Sequence, residues 1–177
     1  MGASGSGKTT VAEELKKQAG YKVVESYTTR PKRYADEVGH IFVTEKEYEE
    51  MKDDMCAFTV FDGNKYWATN KQVDESDIYI IDPAGVEYFK KAYKGKKEPI
   101  VVHLRAGKKT RKQRMLERGD SRRAVQKRLQ HDKKAFANVD ANHIINADVH
   151  IDDVVTSVYM ALKMTDAIRG KLKNAKA

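Results

Sequence analysis

Gly2-Ala3-Ser4-Gly5-Ser6-Gly7-Lys8-Thr9 opens the chain and fits the pattern G-x-x-x-x-G-K-[ST]. Residues 9–18 follow as a helical segment, with Ala12, Leu15 and Ala19 on one side and Gly20 as a stop. Glycines at these positions let backbone N–H groups turn toward phosphate oxygens, and the helix adds its positive N-terminal end. Lys8 reaches the outer phosphates, and the Thr9 hydroxyl suits Mg²⁺. ATP with Mg²⁺ is therefore the expected ligand, with Ser4, Gly5, Ser6, Gly7, Lys8, Thr9 and Thr10 as candidate ATP-binding residues. A plain glycine-rich turn would not need Gly, Lys and Thr in this register. A loop of this kind follows a buried strand. Here the chain starts inside the loop, so the expectation is a longer natural chain with a short Val/Ile-rich strand before Met1.

The 177 residues suit one domain with one core. With 40% hydrophobic and 34% charged residues, the composition is that of a folded protein with a wet surface. No apolar run approaches the ~20 residues of a membrane helix, and no signal-peptide pattern opens the chain. No membrane partner is expected. Cys56 is the only cysteine, so an internal disulfide is impossible and a reducing cytoplasm is the expected compartment. The net charge of +8 is local: between Arg105 and Lys134, thirteen Lys/Arg face three Asp/Glu, while the rest is near neutral. A compact polyanion is the expected partner of that segment, with a solvated helical face as the alternative. A nucleic-acid groove more often spreads its charge along a face, so nucleic acid is not the expected partner.

Outward from the loop, strands and helices alternate. Residues 21–24, 40–43, 78–81, 100–104 and 143–146 read as strands, with a loop over 26–39. Thr44 and Glu47 form a capping box. Asp62-Gly63-Asn64 turns a hairpin between 57–61 and 65–69. Pro83 starts a helix at its favoured first turn. Two basic helices break at Gly119-Asp120-Ser121, and a helix over 152–171 closes the chain. The pattern predicts a parallel sheet in an α/β layered fold.

Ser26-Tyr27-Thr28-Thr29-Arg30-Pro31-Lys32-Arg33, followed by Glu37, Gly39 and Phe42-Val43, resembles the guanylate kinase family. That family carries S-x-T-T-R-x-x-R, a Glu and a Gly shortly after, and an aromatic-rich strand. The resemblance spans nearly the whole chain. It includes the phosphate loop, a hairpin ending Gly63-Asn64-Lys65-Tyr66 and the strand end Asp82-Pro83-Ala84-Gly85. It ends in a lid pattern, Arg114, Arg118-Gly119 and Lys127-Arg128-Leu129. The implied architecture is an α/β P-loop kinase fold: a parallel sheet flanked by helices, its first strand missing here. The core would be 1–25, 70–105 and 136–177, the acceptor-binding insertion 26–69 and the basic helical lid 106–135. The implied reaction is transfer of the γ-phosphate of ATP to a nucleoside monophosphate, GMP to GDP above all, with small-molecule nucleotides as partners. By resemblance Ser26, Arg30, Arg33, His40, Tyr66 and Thr69 hold the acceptor. Lys8, Arg114, Arg118 and Arg128 would then be catalytic, and Asn146 would border the donor adenine.

The residue chemistry agrees. Arg30 and Arg33, three apart on a loop, can fork onto one phosphate; Tyr66 can add a hydroxyl or simply pack. Asp82 ends an apolar strand where an unpaired carboxylate is costly, which favours water-mediated Mg²⁺ or an acceptor contact. Arg111, Arg122 and Arg123 read as solvated charge, and Asn146 equally as a strand-end turn residue. The family's base-reading Glu falls on Ala57, its phosphate-contacting Tyr on His40, the first Asp of its D-x-D strand on Ile80, and a hydroxyl residue on Ala68 beside Thr69. The phosphate clamp is thus kept and the base clamp depleted. That keeps two other readings open, a kinase of a sugar phosphate such as ribose 1,5-bisphosphate and a non-catalytic module that holds phosphorylated ligands. Oligomeric state is left open.

Overall fold

The computed structural model describes residues 1–32 and 35–174, so the expected phosphate ligand Arg33 lies outside the described residues. In chain order the helices are α1 (Lys8–Ala19), α2 (Glu45–Met51), α3 (Asn70–Asp74), α4 (Pro83–Ala92), α5 (Lys108–Glu117), α6 (Arg122–Ala135) and α7 (Ile151–Asn174). The strands are β1 (Ser26–Thr28), β2 (His40–Phe42), β3 (Met55–Phe61), β4 (Asn64–Thr69), β5 (Val102–Arg105) and β6 (His143–Asn146). The chain forms two compact units, Met1–Ala19 with Pro99–Ala177, and Gly20–Glu98.

In the first unit β5 pairs in parallel with β6, Val102 opposite His143 through Arg105 opposite Asn146. Gly2 makes a further parallel bridge to Leu104, sealed by Leu104 N–H donating to the Met1 carbonyl (2.9 Å). Helix α1 buries Val11, Ala12 and Leu15, and α7 buries Val154, Val155, Val158 and Ala161. Helices α5 and α6 meet through Met115, Val125 and Leu129.

The second unit holds a four-stranded sheet in the order β2-β1-β4-β3. β1 runs parallel to β2 and antiparallel to β4. Asp62 and Gly63 both take positive φ (54° and 79°), the two-residue turn that matches strand twist. The Thr44–Glu47 capping box forms as expected. Two expectations are corrected. Residues 26–39 are not all loop, since Ser26–Thr28 is a strand; its inward residues are hydroxyls, so no apolar alternation marks it. The segments 21–24 and 78–81 meet only at the bridge Val23–Ile78. Burial of an apolar run satisfies its side chains, but a ladder also needs paired backbone groups, and Val24 N–H to Ile78 O (2.8 Å) and Ile78 N–H to Lys22 O (2.9 Å) are the core of what forms.

Met115 is fully buried between α5 and α6. Met115→Ala should lower stability by about 2–5 kcal/mol, read as a lower urea midpoint at unchanged slope.

Candidate active site

The loop at residues 2–8 is turned by Ser6 N–H donating to the Ala3 carbonyl (3.1 Å), with Gly5 and Gly7 at φ 77° and 94°. Gly5 is required twice over, because a Cβ there would lie 2.6 Å from the Arg111 carbonyl oxygen at the start of α5. The Lys8 ammonium donates to the Ala3 carbonyl (3.1 Å). Burial pushes its pKa down to about 8; Asp132 opposes this, while Arg118, Arg111 and Arg128 add to it. Lys8 is thus still charged at neutral pH, in a field suited to an anion. Arg114 reaches the loop too, with one guanidinium nitrogen 3.9 Å from where a Cβ on Gly7 would sit.

Arg118 and Arg128 share one carboxylate. Arg118 donates twice to Asp120 (3.1 and 2.6 Å), and Arg128 Nε lies 3.8 Å from the same group. Arg122 and Arg123 are exposed. Arg111 is not the solvated charge expected of it. Its side chain is 12% exposed and pairs at 3.0 Å with Asp132, itself 5% exposed. Asp132 also accepts from the Ser4 backbone N–H (2.8 Å). Sequence reasoning missed both, although the spacing held a signal: Arg111, Arg114 and Arg118 share a helix face, as do Arg128 and Asp132.

The donors gathered here, main-chain N–H groups, one ammonium and several guanidiniums, suit phosphate oxygens. Ser6 Oγ is buried with no hydrogen-bond partner among the protein atoms, which fits a loop built to receive polar atoms. Thr9 is exposed and open to a cation. Among the described residues no group of three or more His, Cys, Asp or Glu could hold a metal, so Mg²⁺ would have to come with the phosphates, Thr9 serving as its ligand from the loop.

In the second unit, strand alternation places Ser26, Thr28, His40, Phe42, Thr59, Tyr66, Ala57 and Ala68 on one face of the sheet. Ser26 Oγ and His40 Nδ1 are 2.9 Å apart, and the His40 and Tyr66 rings meet edge-on at 5.6 Å. Arg30 forks onto Glu37 (2.7 and 3.1 Å) and lies over the Phe42 ring. Burial alone would lower the Arg30 pKa, but Glu37 and Tyr66 outweigh it and raise it. Ser26, Arg30, His40 and Tyr66 are therefore neighbours in this unit.

Three other residues have structural work, which the sequence reading had offered only for Asn146, as a strand-end turn residue. Asp82 is not an unpaired carboxylate. It caps α4 by accepting from Gly85 N–H (2.7 Å) and takes the Thr59 hydroxyl (2.9 Å), so its presence does not by itself call for Mg²⁺. Thr69 caps α3 in a capping box with Gln72. Asn146 closes a turn by accepting from Asp148 N–H (3.0 Å). Asp148 is held below the usual carboxylate range by the Thr110 hydroxyl and then by the Gly107 N–H at the start of α5.

A family model described as AAA domain matches residues 1–144. Among solved structures, a guanylate kinase from Anaplasma phagocytophilum is similar at a TM-score of 0.60 and 16% identity, over 96% of this chain and 83% of that one. At that identity the likeness is one of fold, and the chain has the α/β P-loop kinase fold, helices flanking sheet. No curated protein gives a match.

Gly5→Ala forces both a left-handed alanine and the contact with Arg111. It should weaken nucleotide binding by at least about tenfold with an unchanged circular dichroism spectrum, as measured by calorimetry.

Proposed function

The chain belongs to the AAA domain family, and on that premise we propose that it is an ATP-dependent kinase of a small phosphorylated acceptor, a nucleoside monophosphate in the manner of guanylate kinases. The observation that carries this reading is the convergence of Lys8, Arg111, Arg114, Arg118 and Arg128 with the phosphate loop. Phosphoryl transfer is mostly positioning and charge neutralisation around the moving group. An oxygen of the acceptor phosphate forms a bond to the γ-phosphorus as the bond to the β–γ bridging oxygen breaks, and ADP leaves. The attacking oxygen is already an anion, so no base is required.

In this reading the amides of residues 4–10 and Lys8 hold the ATP phosphates, and Asn146 borders the adenine. Arg114, Arg118 and Arg128 neutralise charge in the transition state, the last two leaving Asp120 for phosphate. Mg²⁺, with Thr9 as its protein ligand, supplies further neutralisation of the phosphate oxygens when bound. Ser26, Arg30, Arg33, His40 and Tyr66 hold the acceptor's phosphate. The Arg30–Glu37 fork keeps one guanidinium pre-oriented, which lowers the entropy cost of binding.

Ala57 and Ala68 stand opposite each other on β3 and β4 and are both fully buried. Neither offers a polar atom to a base, and this favours a second reading, a sugar phosphate acceptor. A phosphorylation assay with and without a panel of monophosphates and ribose 1,5-bisphosphate separates the two, and no turnover with any acceptor would leave only a phospho-ligand binding module.

Arg128→Ala should cost about a thousandfold or more in turnover while the protein stays folded; a loss under tenfold would remove Arg128 from the transition state. A hydrogen bond to a charged group contributes about 1.5–3 kcal/mol. Without a Glu at position 57, the preference for GMP over AMP, CMP and UMP in kcat/KM should be about ten- to a hundredfold weaker than such a contact provides. A strong GMP preference would mean that another residue reads the base.

A further inference from the structure

We infer that Asp132 is a positioning residue for ATP: with Arg111 it forms a buried latch that fixes the basic helices α5 and α6 to the phosphate loop at Ser4. The inference rests on the proposed use of that loop for ATP.

Four groups converge on this point. Asp132 Oδ2 accepts from Ser4 N–H (2.8 Å) and from Arg111 Nη1 (3.0 Å), and Oδ1 accepts from the Ser4 hydroxyl (3.4 Å). Arg111 returns to the loop through the Ser4 carbonyl (3.4 Å) and holds its own strand exit through the Ala106 carbonyl (3.2 Å). His131 Nδ1 lies 3.7 Å from Oδ1. The Arg111 backbone meanwhile presses on Gly5. Loop, α5 and α6 are thus joined by one carboxylate and one guanidinium, both largely out of water.

Stability alone does not account for the pair. Burying two charges costs desolvation, and replacing a buried ion pair by apolar side chains of similar volume is often neutral or stabilising. What an apolar pair cannot do is accept the Ser4 N–H. Ser4 stands directly before Gly5, whose backbone is among the least restricted. Fixing it there orders the loop before ATP arrives, so less ordering is needed on binding. The spacing extends the effect. Arg114 follows Arg111 by three residues on α5 and Arg118, at that helix's C-terminal cap, by seven, and Arg128 precedes Asp132 by four on α6. The latch therefore also sets where the three arginines stand along their helices.

The test is the double variant Arg111→Met/Asp132→Leu in the full chain, which removes the latch without leaving an unpaired buried charge. Two readouts apply: amide exchange of residues 4–8 in ligand-free protein, and affinity for MgATP. We expect a melting temperature close to wild type, faster exchange, and ATP binding weaker by about ten- to a hundredfold, the loss of hydrogen bonds to a charged group, with the acceptor KM unchanged. A stable double variant that keeps wild-type exchange, or binds ATP within threefold of wild type, would overturn the latch. Should the double variant fail to fold, Asp132→Glu, which keeps the charge but displaces it by one methylene, gives the same two readouts, and wild-type values would again overturn it. Wild-type protein that binds no MgATP would sink the proposed function and the positioning role together, whereas binding retained by the variants would sink only the positioning role.

Discussion

Everything in the first unit depends on the phosphate loop lying backbone-to-backbone against its neighbours. A Cβ on Gly2 would sit 2.7 Å from the Leu104 carbonyl oxygen and 2.5 Å from Ser6 Oγ, and one on Gly5 would sit 2.6 Å from the Arg111 carbonyl oxygen. These are not distances that a side chain can occupy. The start of the loop is therefore set by β5 and its middle by α5, and α1 leaves at Lys8 in a fixed direction. Once α5 is seated against Gly5, helical spacing decides which of its arginines face the loop: Arg111 and Arg114 approach it, while Lys112 and Gln113 remain exposed.

That close seating concentrates positive charge, and two of the three acids of the basic segment are paired with its arginines. Asp120 and Asp132 are the two that matter at the loop. Asp120 holds the half-exposed Arg118, a contact that water screens and that is worth little alone. Asp132 works in a drier setting, against Arg111 and a loop amide. One pair is open to water and the other is largely out of it. This division leaves the outer cation in contact with water and the inner frame out of it, and the lowered pKa of Lys8 reflects its burial first and the surrounding arginines after that.

Much of this was legible in the sequence, for identifiable reasons. The loop motif, the Thr44–Glu47 capping box, the Asp62-Gly63 turn and the bounds of β6 all rest on local rules, and local rules survive folding. That Ser26, Arg30, His40 and Tyr66 would be neighbours was legible only because a family pattern names them together. The failures are tertiary. Arg111 looked like any other cation in a run of thirteen, since nothing local says that its backbone meets Gly5. β1 was hidden because Ser26 and Thr28 turn hydroxyls inward, so the apolar period that marks a strand is absent. Asp82 was a lesser failure. Pro83 had already been read as the first residue of a helix, which makes the residue before it the N-cap, a preferred place for Asp. The Gly85 N–H and the Thr59 hydroxyl already give the carboxylate partners.

The second unit shows why its polar face can exist at all. Side chains alternate across the sheet, so the chemistry on one face must be balanced by packing on the other. Trp67, fully buried, stacks on Tyr27 at 5.4 Å and meets Tyr48 edge-on at 5.0 Å, with Phe58 opposite it on β3. A slip of one residue would exchange the two faces. The two-residue turn and the register shift between Met55 and Ala57 fix the pairing that prevents it. Ala57 and Ala68 lie on the polar face but at its closed end, where Ala68 packs with Val24, Cys56 and Val73. A larger polar side chain there would have to displace that core. At the open end His40, Thr59 and Tyr66 are only partly buried, His40 resting against Ser26 and Tyr66 and Thr59 against Asp82.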